Sequence, residues 1–84
     1  MRYTVLWVPS AERDLAAIWI DSKDRTAVAS AANTIDALLR DDAPSQGEPC
    51  FDTVRSVVVT PLGVDFEVFE EDRIVRVLAV WSVQ

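Results

Sequence analysis

Residues 55–83 read RSVVVTPLGVDFEVFEEDRIVRVLAVWSV. In the middle of this stretch, apolar side chains alternate with a glycine and two carboxylates. The apolar face of this segment holds Leu62, Val64, Phe66 and Val68. A period of two is typical of a strand with one buried face and one solvated face. We therefore predict that the stretch forms three consecutive antiparallel strands, with the alternating segment as the middle one.

The downstream part of the stretch predicts a hairpin and a buried strand. Glu71 and Asp72 separate the alternating segment from residues 74–81 and occupy the place of a short turn. Residues 74–81 are mostly β-branched or apolar, which is typical of a strand covered on both faces. The residues upstream of this meander must therefore supply the elements that cover the sheet.

The upstream part of the chain begins with a strand-like segment and ends with a loop-like one. Residues 2–8 are apolar at both alternating sets of positions, which predicts a short strand inside the sheet. Residues 41–49 read DDAPSQGEP, and their prolines and glycine predict a loop without regular structure. The residues between these two segments are left for helices.

Two helices are predicted in this interval. The first begins at Ala11, with Ser10 as its N-cap. The second covers residues 25–40, with Ser22 or Asp24 as its N-cap. Apolar residues recur at helical spacing in both, and the short connection favours an antiparallel αα hairpin. The predicted core-facing residues are Ala11, Leu15, Ile18 and Trp19 in the first helix and Val28, Ala31, Ala32, Ile35, Leu38 and Leu39 in the second.

These elements follow one another in the order β-α-α-β-β-β. A chain of 84 residues has the size of one domain. We predict a single α+β domain over residues 1–84, in which the αα hairpin packs on a four-stranded, mainly antiparallel sheet.

The charge balance argues against a nucleic-acid ligand. The chain has 14 acidic and 8 basic residues, a formal net charge of −6, whereas binding to phosphates uses basic patches and counterion release. No apolar run is long enough for a membrane span, and the first residues lack the layout of a signal peptide. The single Cys50 allows no internal disulfide. We therefore expect a cytoplasmic protein without a nucleic-acid or membrane partner.

Residue types that several common sites require are missing from the sequence. The chain has no histidine, one cysteine and two isolated glycines, so no thiolate zinc site and no glycine-rich phosphate loop is expected. We expect no metal and no cofactor. The acidic cluster has two interpretations. It is either a metal or general-acid site, or a solvated strand face with its turn. The second is favoured, because charge runs at turns seldom need a function. The acidic cluster consists of Asp65, Glu67, Glu70, Glu71 and Asp72.

Arginines are the remaining candidates for ionic contacts. Arg55 begins a strand of valines, and we expect it to contact an anion or a carboxylate across the hairpin, either Asp65 or Glu67. Arg76 is expected to face outward and to pair with an acid of the neighbouring strand, Glu67 or Glu70. Surface ion pairs of this kind contribute about 0–1 kcal/mol to stability.

Tryptophans are the large aromatic residues of the chain. Trp7 and Trp19 are expected in the core, because large aromatics at strand and helix positions more often fill a core than bind a ligand. Trp81 lies at the end of the last strand and is a candidate interface anchor.

Several local sequence patterns follow one another in a defined order along nearly the whole chain. They comprise Trp7, Val8, Pro9, Ala11, Asp14, Leu15, Ile18, Trp19 and Ile20, then Ala31, Ile35, Leu38, Leu39, Pro44 and Gly47, then Arg55, residues 61–68, Glu71, Asp72 and residues 75–80. Together they resemble the RelE/ParE family, the toxins of bacterial type II toxin–antitoxin modules.

The resemblance implies an αα hairpin on a twisted antiparallel sheet and a cognate antitoxin whose C-terminal segment wraps the toxin. Members of the RelE type cut messenger RNA on the ribosome with basic residues and a tyrosine, whereas members of the ParE type poison DNA gyrase. Arg55 matches the first basic position. Asp65 or its neighbours stand where a second arginine is usual. Trp81 and Ser82 stand where a basic pair is usual, and no tyrosine follows them.

From this resemblance we expect a toxin-like protein that acts by protein contact and not as an enzyme. Its expected partner is the cognate antitoxin, with DNA gyrase as a second candidate. Two alternatives stay open, a ribosome-dependent mRNA endoribonuclease of the RelE type and a small interaction domain that forms a homodimer. The candidate partner-binding residues are Trp19, Arg55, Asp65, Glu67 and Trp81. The catalytic candidates for the nuclease are Arg55, Arg73 and Arg76.

Overall fold

Two α-helices pack on one face of a five-stranded sheet in the computed structural model, which describes residues 2–83. The strands are β1 (Thr4–Trp7), β2 (Glu48–Phe51), β3 (Val54–Val59), β4 (Leu62–Phe69) and β5 (Ile74–Ser82). The helices are α1 (Pro9–Asp21), α2 (Arg25–Asp42) and a short 3₁₀ helix, Ala43–Ser45. Within residues 2–83, every helix is too short or too polar to cross a bilayer. The predicted α+β class is confirmed.

The sheet is mixed, with the strand order β1-β5-β4-β3-β2. β1 runs parallel to β5, and every other neighbouring pair is antiparallel. A parallel pair needs a long connection, and the helices and the other strands lie between β1 and β5 along the chain. The predicted meander corresponds to β3, β4 and β5, so β4 is the central strand.

β2 is an additional strand that begins inside the predicted loop of residues 41–49. Proline and glycine were the reason for predicting a loop there. An edge strand is hydrogen-bonded on one side only, and it therefore tolerates a proline such as Pro49. Gly47 leads into β2 with a φ of +64°, and a Cβ at this position would lie 2.1 Å from the carbonyl oxygen of Ser56. The sheet thus has five strands and not the predicted four.

β1 forms the other edge of the sheet, which corrects the prediction of an interior strand for residues 2–8. It pairs with β5 alone. Leu6 points away from the helices and is 48% exposed, whereas Val5 and Trp7 pack against the core. Single apolar side chains are common on protein surfaces, so an apolar strand need not be covered on both faces.

The buried core lies between the two helices and the side of the sheet that faces them. Leu62, Val64 and Phe66 of β4 have no exposed surface, as their alternation predicted. Ile35 and Leu39 of α2 belong to the same buried cluster, which confirms most of the predicted stripe of the second helix, although Ala32 and Leu38 are only partly buried. Complete burial of one such side chain stabilises the fold by about 1.5–3 kcal/mol. The same cluster includes Tyr3, Ala11, Val28, Ala31, Val75, Val77 and Val80.

A β-bulge interrupts the alternation of β5. Phe66 pairs with Val77, and Asp65 pairs with Ala79, so that Leu78 is an extra residue between the two pairs. The buried positions of β5 are consequently not spaced by two along its whole length. The predicted coverage of this strand on both faces is wrong, because the helices cover only one face of the sheet.

The two helices begin in different ways. α1 begins at Pro9 after the N-cap Val8, because proline suits a first helical position where its missing N–H would be unpaired anyway. The predicted N-cap Ser10 therefore lies inside the helix. For α2, the predicted N-cap Asp24 is confirmed, since its carboxylate accepts a 3.0 Å hydrogen bond from the backbone N–H of Ala27.

Arg25 links the start of α2 to the end of α1. Its guanidinium donates hydrogen bonds to the carbonyl oxygens of Trp19 (3.1 Å) and Ile20 (2.8 Å), in the last turn of α1. Carbonyl groups at this end lack helical partners and favour a cation. α1 has no basic residue in its own last turn, so Arg25 supplies the cation from the neighbouring helix.

We expect Ile35→Ala to lower the free energy of unfolding by about 2–5 kcal/mol, because it leaves a cavity among fully buried neighbours. Ile20→Ala is the matched control, since it removes the same atoms from a side chain that is 59% exposed. Its expected loss is below about 1 kcal/mol. Urea denaturation followed by circular dichroism measures both values. Equal losses would contradict the position of Ile35 in the core.

We expect Arg25→Ala to lower the free energy of unfolding by about 1 kcal/mol, the usual contribution of exposed hydrogen bonds and a cation at a helix end. Arg25→Lys keeps the charge without the planar fork and should recover part of the loss. Arg13→Ala is the control, because Arg13 is exposed on α1. Thermal unfolding compares the three variants. If Arg25→Ala and Arg13→Ala are equally stable, Arg25 does not hold the helical hairpin together.

Candidate protein-binding surfaces

A groove of about 540 Å³ runs between α1 and α2, and we call it the helical groove. Its lining includes Trp7, Glu12, Leu15, Trp19, Ala32 and Asp36. Small residues of α2 allow close approach to a neighbouring element. Ala31 does so in the core, whereas Ala32 leaves the groove unfilled. The helical groove is therefore an apolar concavity with carboxylates among its lining residues.

Trp19 lies in the wall of the helical groove and is 42% exposed. The prediction that Trp19 belongs to the core is therefore wrong, whereas Trp7 is partly buried against the core as predicted. Arg25 lies over the Trp19 ring, 4.7 Å from its centre, and holds the carbonyl group of the same residue. Arg25 was not among the residues predicted from the sequence to have a role. Arg25 follows the end of α1 after only a short connection, and a basic residue so close to the end of a helix is the sequence signal that could have identified it.

The face of the sheet opposite the helices forms the second surface, which we call the open sheet face. It is defined by Leu6, Val58, Asp65, Glu67, Arg76 and Trp81. The strand registers place these side chains on one face, because directly paired residues of neighbouring strands point to the same side. Apolar side chains thus flank a charged centre on this surface.

Asp65 and Glu67 lie in the centre of the open sheet face, and each accepts a hydrogen bond from a hydroxyl group. The donors are Ser56 for Asp65 and Thr53 for Glu67. Among residues 2–83, no basic side chain forms an ion pair with either carboxylate. Arg76 does stand directly opposite Glu67 in the register, but the predicted ion pair between them is not formed.

Trp81 covers a glycine on the open sheet face. It pairs with Gly63 on β4, and a Cβ at Gly63 would lie 2.5 Å from the indole ring. The absence of a side chain at Gly63 therefore lets the ring approach the backbone of the sheet. Because Trp81 is 37% exposed, it presents an aromatic surface to solvent beside the acidic centre.

Arg55 is on the other side of the sheet. It pairs with Phe66, whose side chain is buried under the helices. The guanidinium donates hydrogen bonds to the carbonyl oxygens of Gln46 (2.9 Å) and Gly47 (3.0 Å) and so holds the chain that enters β2. The expected contact with Asp65 or Glu67 is wrong, because those residues point to the opposite face.

The three catalytic candidates are not brought together. Arg55 lies on the helix side of the sheet, and Arg76 lies on the open sheet face. Arg73 is in the turn between β4 and β5, where its guanidinium lies 5.4 Å from the centre of the Tyr3 ring. A ribonuclease must stabilise the charge that develops on a phosphate with positioned cations or donors. This arrangement does not provide a cluster of arginines for that purpose.

The acidic turn that follows β4 adds to the negative charge at one end of the sheet. Glu70, Glu71 and Asp72 are exposed there. Among residues 2–83, no three acidic or cysteine side chains are close enough together to hold a metal ion. The exposure of these three residues makes the turn a solvated charged segment.

No protein-family model and no curated protein sequence matches the chain. Solved structures do match. A chain of the toxin–antitoxin complex RelBE2 from Mycobacterium tuberculosis gives a TM-score of 0.80 at 20% identity over 98% of this chain and 92% of that chain. The chromosomal ParDE TA system from P. aeruginosa gives 0.72 at 20% identity over 99% and 98%. The isolated E. coli RelE toxin gives 0.55 at 15% identity over 98% and 85%. The chain therefore adopts the RelE/ParE toxin fold.

Proposed function

We propose that this protein is the toxin-like component of a type II toxin–antitoxin module and that it acts by contact with other proteins. The single observation that carries the second part is the separation of Arg55 and Arg76 on opposite faces of a sheet with the toxin fold. The carboxylates of Asp65 and Glu67, which form no ion pair among residues 2–83, would also repel an RNA backbone on the open sheet face.

The first partner in this proposal is an antitoxin. Two of the structural neighbours come from toxin–antitoxin assemblies, RelBE2 and ParDE. The helical groove fits the apolar face of an amphipathic helix, which is a common mode of recognition. Glu12 in its lining favours a basic residue beside that apolar face, whereas Asp36 is already paired with Arg40. The overall charge of −6 favours a basic partner segment as well.

The second partner is a target protein in the cell, for which DNA gyrase is the first candidate. The motivation is the fold shared with the chain of the ParDE system. A gyrase supercoiling assay with the purified chain tests this point directly. Inhibition that a catalytically inert protein of similar charge does not produce would support gyrase as the target, and unchanged supercoiling would exclude it.

The proposal predicts that induction of the chain alone in a bacterium slows growth. Co-expression of the cognate antitoxin, which would be encoded by a small gene next to that of this chain, should restore growth. Transcript ends mapped before and after induction should be unchanged, because the arginines are not clustered for cleavage. Arg76→Ala should leave the growth effect intact. New transcript ends that disappear in Arg76→Ala would support the nuclease instead. Normal growth together with no complex between the two gene products would contradict the proposal.

The helical groove predicts a specific loss of partner affinity. Trp19→Ala should weaken binding of the antitoxin about 30-fold or more, because exposed aromatic residues in apolar grooves are frequent binding hot spots. Ile20→Ala is the matched control, since Ile20 is more exposed than its neighbour Trp19. It should change the affinity less than about three-fold. Isothermal titration calorimetry with the purified partner measures both, and circular dichroism verifies that both variants fold. Equal effects would exclude the helical groove as the binding site.

A further inference from the structure

We propose that Trp81 and Asp65 form a subsite on the open sheet face that receives an arginine side chain from a bound protein segment. The inference rests on the proposed function in one respect, namely that the ligand of this chain is a protein. The subsite specifies the chemistry of one contact, and it lies on a second surface in addition to the helical groove.

The register of β4 and β5 brings the two residues of the subsite together. Trp81 pairs with Gly63, and Asp65 is the next residue of β4 on the same face. Asp65 itself pairs with Ala79. Trp81 and Asp65 are therefore diagonal neighbours, a distance that aromatic side chains can span. The residue between them on this face, Ala79, has a small side chain.

The glycine under Trp81 makes the indole ring a suitable platform. One side of the ring lies against Gly63, so close that a Cβ there would meet three of its atoms within 2.7 Å. The ring nevertheless remains 37% exposed. A flat aromatic surface that is backed by the sheet and open to solvent is the geometry on which a cation stacks.

Asp65 supplies the complementary charge. Its carboxylate accepts a hydrogen bond from the Ser56 hydroxyl through Oδ1, which orients the group, and Oδ2 takes part in no hydrogen bond among residues 2–83. Arg76 is the cation of the open sheet face, but it pairs in register with Glu67 and not with Asp65. Asp65 is therefore the carboxylate beside the aromatic platform that has no cation opposite it.

These features favour arginine over lysine and over a phosphate ligand. A guanidinium is planar, so it can stack on an indole ring and donate to a carboxylate at the same time, whereas an ammonium group is a point charge. A phosphate would be repelled by the carboxylates of the open sheet face. The net charge of −6 attracts a basic segment from any direction, and the subsite gives one arginine of that segment a defined position.

The experiment is a titration of the ¹⁵N-labelled chain with capped tetra-arginine and tetra-lysine peptides, followed by the indole N–H resonance of Trp81. We expect the arginine peptide to bind about three-fold more tightly than the lysine peptide. Trp81→Leu should weaken the arginine peptide about two- to five-fold, and Trp81→Phe should weaken it less, because a ring remains. The two Trp81 variants are followed by the amide resonances of the strands.

Asp72→Asn is the matched control for Asp65→Asn, because both remove one negative charge and Asp72 lies in the exposed turn. Asp65→Asn should weaken the arginine peptide at least about two-fold more than Asp72→Asn does. Equal effects of the two substitutions, or equal affinity for both peptides in the unchanged chain, would overturn the subsite and leave only a general attraction between charges. An unchanged affinity in Trp81→Leu would overturn it as well.

The titration separates this inference from the proposed function, because it uses neither the neighbouring gene nor living cells. A failed titration removes the subsite and leaves the toxin-module proposal and the helical groove in place. A successful titration with a chain that neither slows growth nor binds the neighbouring gene product would retain the subsite and reject the toxin-module proposal. Association of two copies through this face would appear as a concentration-dependent change in molecular mass and would contradict the assignment to a partner segment.

Discussion

The structure depends on the burial of one face of β4 against α2. Leu62, Val64 and Phe66 are fully buried in one cluster with Ile35 and Leu39 of α2, and this gain in hydrophobic free energy offsets the entropy of ordering a small chain. Successive residues of a strand point to opposite faces. The same burial therefore directs the intervening residues of β4 to the open sheet face, where Asp65 and Glu67 are half-buried, so that the packing of the core also determines which side chains are available for binding.

The period-two and helical patterns were sufficient to predict β4, the helical hairpin and most of the core, because each of these elements buries one continuous side. They were not sufficient where pairing decides the outcome. β2 was missed because Pro49 argues against an interior strand but not against an edge strand. The position of β1 at an edge depends on its parallel pairing with β5, a contact between distant residues that no local pattern encodes.

The candidate binding residues could be predicted by type but not by location. Asp65 and Trp81 were expected to be partner-binding residues, and the register adds that they are neighbours on one face. Arg55 was expected beside the carboxylates, but strand alternation turns it toward the helices, where backbone carbonyl oxygens accept its hydrogen bonds. Arg25 was not among the predicted residues, because its partners are carbonyl groups at the end of another helix and only its short distance from that end in the sequence indicates the contact.

The contacts that the arginines make within the protein influence the charge that its surface presents to a ligand. Arg25 and Arg55 are bound to backbone carbonyl oxygens, and Arg40 is paired with Asp36 on α2. Arg25 and Arg55 thereby join separate segments of the fold, Arg40 forms its pair within α2, and all three guanidinium groups already have oxygen acceptors. The carboxylates of the open sheet face are held by hydroxyl groups, which orient a carboxylate without neutralising its charge. The carboxylates of the open sheet face and the net charge of −6 favour positively charged partners, and this electrostatic preference is the physical reason for expecting a protein ligand in place of RNA.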